Sequence, residues 1–243
     1  MYPTIYQSDS LTIGSYGLML AIAYLVGRWF FLKQLASQSD LKFNSEILII
    51  LLLTFGVVGA KLMFLIKNPD KSHLLYSGTG FSSQGALLGA IVASFLFTYL
   101  NKVSLDRILD NAAPAAILAY AIARVGCFLS GDDCYGIATN LPWAMDFPDG
   151  IAPTDEHVHP VPLYEIIYSA IIFLILTGRN TANSKPYESF FLLLGLWGVC
   201  RFAVEFISAN EKLMMGMSGS QVGALLMTIT SIFYFAVIRK KFP

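Results

Sequence analysis

Seven apolar runs, each roughly matching the 17 to 25 residues that a helix needs to cross a bilayer, constrain this chain more than any other feature. They lie at about 11–32, 47–66, 82–100, 108–130, 163–177, 189–208 and 219–238. None alternates with period two, as a membrane barrel strand would. The expected fold is therefore all-α, a polytopic bundle of about seven transmembrane helices. Composition agrees: 56% of residues are hydrophobic and only 13% charged, and mean hydropathy is +0.62, too apolar for a soluble domain. Net charge is zero and no basic patch carries interleaved aromatics, which argues against nucleic acid. The first run has no basic region ahead of it and no small-residue cleavage site behind it, so it is expected to remain as a helix rather than be removed as a signal peptide. The fourth is interrupted by Asp110, Pro114 and Arg124, and the fifth is short. Residues 1–243 read as a single transmembrane domain with a loop at about 131–162.

Basic residues set the expected orientation. Lys33, Lys42, Lys102, Arg107, Arg179, Lys185, Arg239, Lys240 and Lys241 follow the odd-numbered spans, whereas only Lys67, Lys71 and Lys212 fall on the opposite side. By the positive-inside rule the N-terminus is outside, the C-terminus is cytoplasmic and the 131–162 loop faces away from the cytoplasm.

Ionisable groups inside spans are costly and point to function, so their depth matters. At 1.5 Å rise per residue, Lys61 lies about 21 Å along its span and so in the outer half. The same count puts Arg124 near the outer end of the fourth span and Arg201 with Glu205 in the outer half of the sixth. Tyr16 falls one turn inside the first span, and Gln84 at the outer start of the third. Lys61 and Arg124 taken singly are as well explained by snorkelling to the interface. Five spans with polar groups in one leaflet point instead to a polar cavity opening there. Guanidinium groups match phosphate bidentately and stay charged in low dielectric, so Arg124, Arg201 and Lys61 suggest an anionic phospholipid head group. Arg201 and Glu205 share a helix face, which also allows a purely internal ion pair. Asp110 is too far along the helix to neutralise Arg124 and is expected to cap or pair at the other end.

The stretch 124–165 concentrates the reactive side chains. Its loop carries Asp132, Asp133, Asp146, Asp149, Asp155 and Glu156 with no Lys or Arg between 131 and 157. Such a loop repels bulk anions, so a lipid would enter sideways from the bilayer. Cys127 and Cys134 lie seven apart on the outer side, and three readings stay open for Cys127: a disulfide, plain packing, or a thiolate beside Arg124. Cys200 stands beside Arg201 in the sixth span. His157 and His159 offer only two ligands, so no metal or cofactor is expected. Gly85-x-x-x-Gly89 and Gly56-x-x-Gly59 are spaced for close helix approach.

Seven motifs in order carry a resemblance: Ser15-Tyr16-Gly17-Leu18-Met19, Gly59-Ala60-Lys61-Leu62, Ser83-Gln84-Gly85-Ala86-Leu87-Leu88-Gly89, Arg124-Val125-Gly126-Cys127-Phe128, Asn140-Leu141-Pro142-Trp143, His159-Pro160 with Leu163-Tyr164-Glu165, and Arg201-Phe202-Ala203-Val204-Glu205-Phe206. Together they resemble the bacterial prolipoprotein diacylglyceryl transferases over nearly the whole chain. The resemblance implies a seven-span inner-membrane enzyme that moves the diacylglyceryl group of phosphatidylglycerol to the thiol of a prolipoprotein's lipobox cysteine, releasing glycerol 1-phosphate. It implies that Arg124 and Arg201 grip the phosphate, that Glu205 orients Arg201, and that Tyr16 matches an important tyrosine.

The departures fall on the reacting centre. Gln84-Gly85-Ala86 stands where the family has His-Gly-Gly, and a glutamine cannot take a proton at neutral pH. The family's Gly-Arg-x-Gly-Asn-Phe-x-Asn-x-Glu is here Ala123-Arg124-Val125-Gly126-Cys127-Phe128-Leu129-Ser130-Gly131-Asp132. Either Asp132 or Asp133 takes the place of the glutamate, and either is the candidate base, unless both belong to an exposed turn. The expected catalytic set is therefore Arg124, Asp132, Asp133, Arg201, Glu205, Tyr16 and Gln84. The expected substrate-binding set is Lys61, Cys127, Ser130, Tyr135, Gly136, His159 and Tyr164. The expected partners are phosphatidylglycerol or a similar anionic phospholipid, and a prolipoprotein signal peptide or another acceptor. Two alternatives stand beside this reading: a paralogue with a different acceptor, and a non-catalytic lipid-binding or transport protein.

Overall fold

The computed structural model describes residues 1–8, 12–36, 44–75, 82–179, 184–210, 212–214 and 216–242. It is mostly helical, and among the described residues five helices are long and apolar enough to cross a membrane: Ser15–Ala36, Ser45–Ile66, Leu105–Ser130, Val161–Gly178 and Gly219–Lys241. The chain divides into two compact units, Met1–Phe31 with Leu109–Pro243, and Leu32–Ile108.

In the first unit a short antiparallel pair, β1 (Thr4–Gln7) and β2 (Thr12–Gly14), leads into helix α1 (Ser15–Ala36). The helix therefore starts four residues later than hydropathy places it. Thr12 to Gly14 are spent on strand pairing, and Ser15 is fixed by its amide and hydroxyl, which both donate to the Pro3 carbonyl, at 2.9 and 3.3 Å. Small residues let α1 lie against α4 (Leu105–Ser130): a Cβ on Gly126 would come within 2.9 Å of Met19 and 3.3 Å of the Tyr16 backbone, and one on Gly27 within 3.1 Å of Ala119.

Helix α4 runs unbroken for 26 residues in spite of Pro114. Proline removes one amide donor and crowds the carbonyl four residues back, that of Asp110. The Asp110 side chain turns outward to accept the Phe190 amide at 2.9 Å, which satisfies one of the open donors at the start of α6 (Glu188–Val204). Ala113 and Ile117 of α4 pack on Tyr168, Ile172 and Leu176 of α5 (Val161–Gly178), with Leu193 and Trp197 of α6 against the same cluster. Helix α6 meets α7 (Gly219–Phe233) where Gly198 lets the Ala224 carbonyl approach to 2.7 Å of a Cβ position and Ser231 donates to the Phe191 carbonyl at 2.7 Å. Leu25, Trp29, Ile167, Leu174, Leu226 and Ile232 point outward, the lipid-facing pattern of a membrane bundle.

Between α4 and α5 the chain forms a hairpin of β3 (Met145–Phe147) and β4 (Thr154–Val158), and a last short pair, β5 (Lys212–Met214) and β6 (Met217–Ser218), precedes α7. Helix α6 ends at Val204, four residues before the apolar run does, so Glu205 stands at its C-cap.

In the second unit α2 (Ser45–Lys67) packs tightly along α3 (Ser83–Asn101). A Cβ on Gly59 would strike the Gly85 carbonyl, one on Gly85 the Gly59 carbonyl, and one on Gly89 the Phe55 carbonyl. Gly56 sits at ordinary contact distance, 3.9 Å from the Ala86 carbonyl. The Gly-x-x-x-Gly spacing thus does what it does in membrane helices generally, bringing two backbones together.

Candidate active site

The first unit places polar groups from four helices at one end: the last turns of α4, the first turns of α5, the end of α6 and the start of α7. Tyr16, at the start of α1, joins them through its packing on Gly126. At the centre is Glu165, 1% exposed. Arg124 Nε pairs with its Oε2 at 2.6 Å, and Arg201 Nη1 with its Oε1 at 2.7 Å. Tyr120 donates its hydroxyl to the same Oε1 at 3.0 Å and Tyr168 at 3.4 Å. A buried carboxylate is tolerated only when paired and hydrogen-bonded, and here two guanidinium groups and two phenols do this.

The second carboxylate is Glu205. Its Oε2 pairs with Arg201 Nη2 at 2.6 Å, and its Oε1 accepts Ser218 Oγ at 2.6 Å and Asn210 Nδ2 at 2.8 Å. Arg201 is thus clamped on both Nη atoms by carboxylates. Arg124 differs: it stacks over the Tyr120 ring at 4.8 Å, is 20% exposed, and aims Nη1 at two sulfurs, Cys127 Sγ and Cys134 Sγ, both at 3.5 Å. The four central charges cancel, so the centre stores no excess field. Arg124 keeps the more accessible guanidinium.

Both cysteines are free thiols. Cys127, Asp132 and Cys134 present ligand atoms that all lie within 4.8 Å of one another, a group of the kind that can hold a metal ion. The turn that gathers them depends on Gly131, whose φ of +56° suits glycine and whose Cβ position would meet the Gly150 backbone at 2.7 Å. The Cys134 amide donates to Asp132 Oδ1 at 3.2 Å. The hydrogen bond with Cys127, burial and the nearby Asp132 carboxylate all push the Cys134 thiol above its ordinary range. Asp133, its alternative in the sequence, is exposed.

The other expected residues have defined surroundings. Ser130 is fully buried and spends its hydroxyl on the Cys127 carbonyl at 3.1 Å. Tyr135 stacks on Phe147, with ring centroids 5.4 Å apart. Gly136 threads between two segments: its amide donates to the His159 carbonyl at 2.8 Å, and a Cβ there would strike the Ile207 carbonyl. Tyr164 links Trp143 Nε1, at 2.8 Å, to His159 Nδ1, at 3.2 Å. His157 is exposed on β4. Lys61 is buried on α2 in the second unit, and the side chain of Gln84, at the start of α3, lies outside the described residues.

Sequence reasoning passed over Glu165. It named the residue as part of a motif and gave it no role, although an ionisable side chain just inside an apolar run is the signal that singled out Arg124 and Arg201. Ser218 carried no signal at all, since its bond to Glu205 spans a loop and a strand pair.

Comparison with known proteins covers the same length. The family described as prolipoprotein diacylglyceryl transferase matches residues 3–237. The chain is 30% identical to the phosphatidylglycerol--prolipoprotein diacylglyceryl transferase of Clostridium tetani, over 98% of each chain. It is 26% identical to the protein so named in Dehalococcoides mccartyi, over 98% of this chain and 94% of that one. To that of Geobacter sulfurreducens it is 28% identical, over 92% and 89%.

Proposed function

The chain belongs to the prolipoprotein diacylglyceryl transferase family, and from that premise we propose that it transfers the diacylglyceryl group of phosphatidylglycerol to the lipobox cysteine thiol of a prolipoprotein. In this reading a C–S bond forms at the glycerol carbon, the C–O bond to phosphate breaks, and glycerol 1-phosphate leaves. The observation that carries it is the meeting of Arg124 and Arg201 on the buried Glu165, at the end where the acidic loop joins α4 to α5.

Arg124 is the cation for the lipid phosphate, because its guanidinium is the more accessible of the two. A cation held in a water-poor site stabilises charge developing on a leaving phosphate. Arg201 is the positioning partner, held by Glu165 and Glu205, and Glu165 orients Arg124 as well. Tyr16 and Gln84 are assigned to the reacting centre, and Lys61, Tyr135, His159 and Tyr164 to substrate binding. The protein works as a seven-span protein of the bacterial cytoplasmic membrane, its N-terminus and the 131–162 loop outside and its C-terminus in the cytoplasm. The nine-to-three split of basic residues supports that orientation.

The test is incubation of the purified protein with head-group-labelled phosphatidylglycerol and a lipobox peptide. Peptide-dependent release of labelled glycerol phosphate, with a matching mass gain on the peptide, is the expected result. Release that ignores the peptide would reject the acceptor, and no release by a folded preparation would reject the transferase reading.

A further inference from the structure

We propose that Cys127, Asp132 and Cys134 form a binding site for a thiophilic divalent cation, zinc(II) foremost, with a fourth position open to the acceptor thiol. The binding site stands on the structure alone, whereas the role given to the open position rests on the transferase reading.

The donor set is two sulfurs and one carboxylate, the mixture that tetrahedral zinc takes. Zinc with Zn–S near 2.3 Å and Zn–O near 2.1 Å sets ligand atoms about 3.5 to 3.8 Å apart. The three atoms already lie within 4.8 Å of one another, so a small side-chain adjustment closes the site. Their backbones are fixed beforehand. The Cys127 carbonyl accepts both Ser130 Oγ and the Gly131 amide at 3.1 Å, and the Cys134 amide holds Asp132 Oδ1 at 3.2 Å.

Charge completes the argument. Two thiolates, a carboxylate and Zn²⁺ sum to −1, and Arg124 Nη1 lies 3.5 Å from both sulfurs, as outer partners of metal ligands commonly do. The guanidinium that Glu165 holds thus faces an anionic cluster rather than a bare dication.

Three protein ligands with a vacancy mark catalytic rather than structural zinc. The proposed reaction needs a deprotonated acceptor thiol, and Gln84 cannot remove the proton. A lipobox thiol entering the fourth position gives its proton to solvent water and is held as a thiolate. Its sulfur lone pair then makes the C–S bond while the C–O electron pair departs with the phosphate beside Arg124. No oxidant or reductant is involved.

The experiment uses the full chain in detergent, stripped by chelator under reducing anaerobic conditions and titrated with Co²⁺ alone. The expected result is saturation at one equivalent, with thiolate-to-cobalt charge transfer in the near ultraviolet and tetrahedral bands in the visible. Cys127→Ser and Cys134→Ser should each lose part of the charge-transfer band and the double variant all of it. Asp132→Ala should weaken binding, and Cys200→Ser should keep the full spectrum. Gel filtration of each variant shows that a lost band is not a lost fold. No charge transfer in the wild type, or an equal band in the folded double variant, overturns the site. Adding lipobox peptide to the cobalt-loaded protein should raise the charge-transfer band by one further thiolate. An unchanged band, or equal turnover by chelated and zinc-loaded protein, overturns the thiol role. Zinc and peptide binding with no glycerol phosphate released places the failure in the transferase reading instead.

Discussion

Replacing Glu165 with glutamine tests the centre directly. The shape is kept and one charge is removed, so the four central charges go from zero to +1, with Arg124 and Arg201 left facing each other across a neutral amide. At an effective dielectric near 20, each unit pair about 4 Å apart is worth roughly 4 kcal/mol. Two such pairs are lost, at 2.6 and 2.7 Å in the structure, while the burial penalty of one carboxylate is recovered. Breaking a buried pair by removing one partner costs about 3 to 5 kcal/mol net. For a chain of this size that is a fall in Tm of roughly 6 to 20 °C. Displacing Arg124 by about 1 Å should lower kcat on the order of 100-fold with a smaller effect on KM. Thermal unfolding in detergent and peptide-dependent glycerol phosphate release measure the two effects. The sign of the coupling is specific: Arg124→Gln should cost less stability in the Glu165→Gln background than in the wild type, because it returns the local charge to zero. A Glu165→Gln protein with unchanged Tm and turnover, or additive losses in the double variant, refutes the reasoning.

Three further outcomes follow from the geometry. Gly85→Ala puts a methyl group onto the Gly59 carbonyl of the facing helix, so it should destabilise by about 1 to 3 kcal/mol, seen as a lower unfolding temperature; an unchanged midpoint would mean that the close approach of α2 and α3 is not as described. Glu188 is buried, which raises its pKa, but the Lys185 amide and the Arg179 and Arg239 guanidinium groups outweigh this and hold the carboxyl below its ordinary value. Its contribution is therefore present above the unfolded value of about 4.3 and is lost as pH falls through the lower folded value. Acid unfolding profiles should lose part of their slope there in Glu188→Gln, and identical profiles would contradict the assignment. Asp110→Ala removes the acceptor for the Phe190 amide and should cost about 1 kcal/mol, the usual worth of such a cap, read by chemical or thermal unfolding.

Much of this was legible because it is local. A helix announces itself by the length of an apolar run, and the loop from Gly131 to Pro160 by the loss of one. The Arg201–Glu205 pair is legible as a four-residue spacing, and the α2–α3 contact as glycines four apart. What was hidden is whatever joins distant positions. Arg201 reaches Glu165 across 36 residues, and no spacing rule connects them. Cys127, Asp132 and Cys134 were each weighed for a separate role, thiol or base, because the reversal at Gly131 that puts them side by side is a property of backbone geometry. The first helix begins at Ser15 for a similar reason: the hydrogen bonds to Pro3 that set its start are made by the chain ahead of it, and hydropathy does not see them.

Ser218 has two duties. Its hydroxyl accepts the Gln221 amide at 3.1 Å, opening helix α7, and donates to Glu205 at 2.6 Å. The carboxylate that holds Arg201 is therefore completed by the residue that caps the following helix. A nascent chain that has inserted everything up to α6 owns both arginines and still lacks this hydroxyl donor to Glu205. The acid at the end of α6 thus keeps one oxygen short of this partner until the start of α7 has been made.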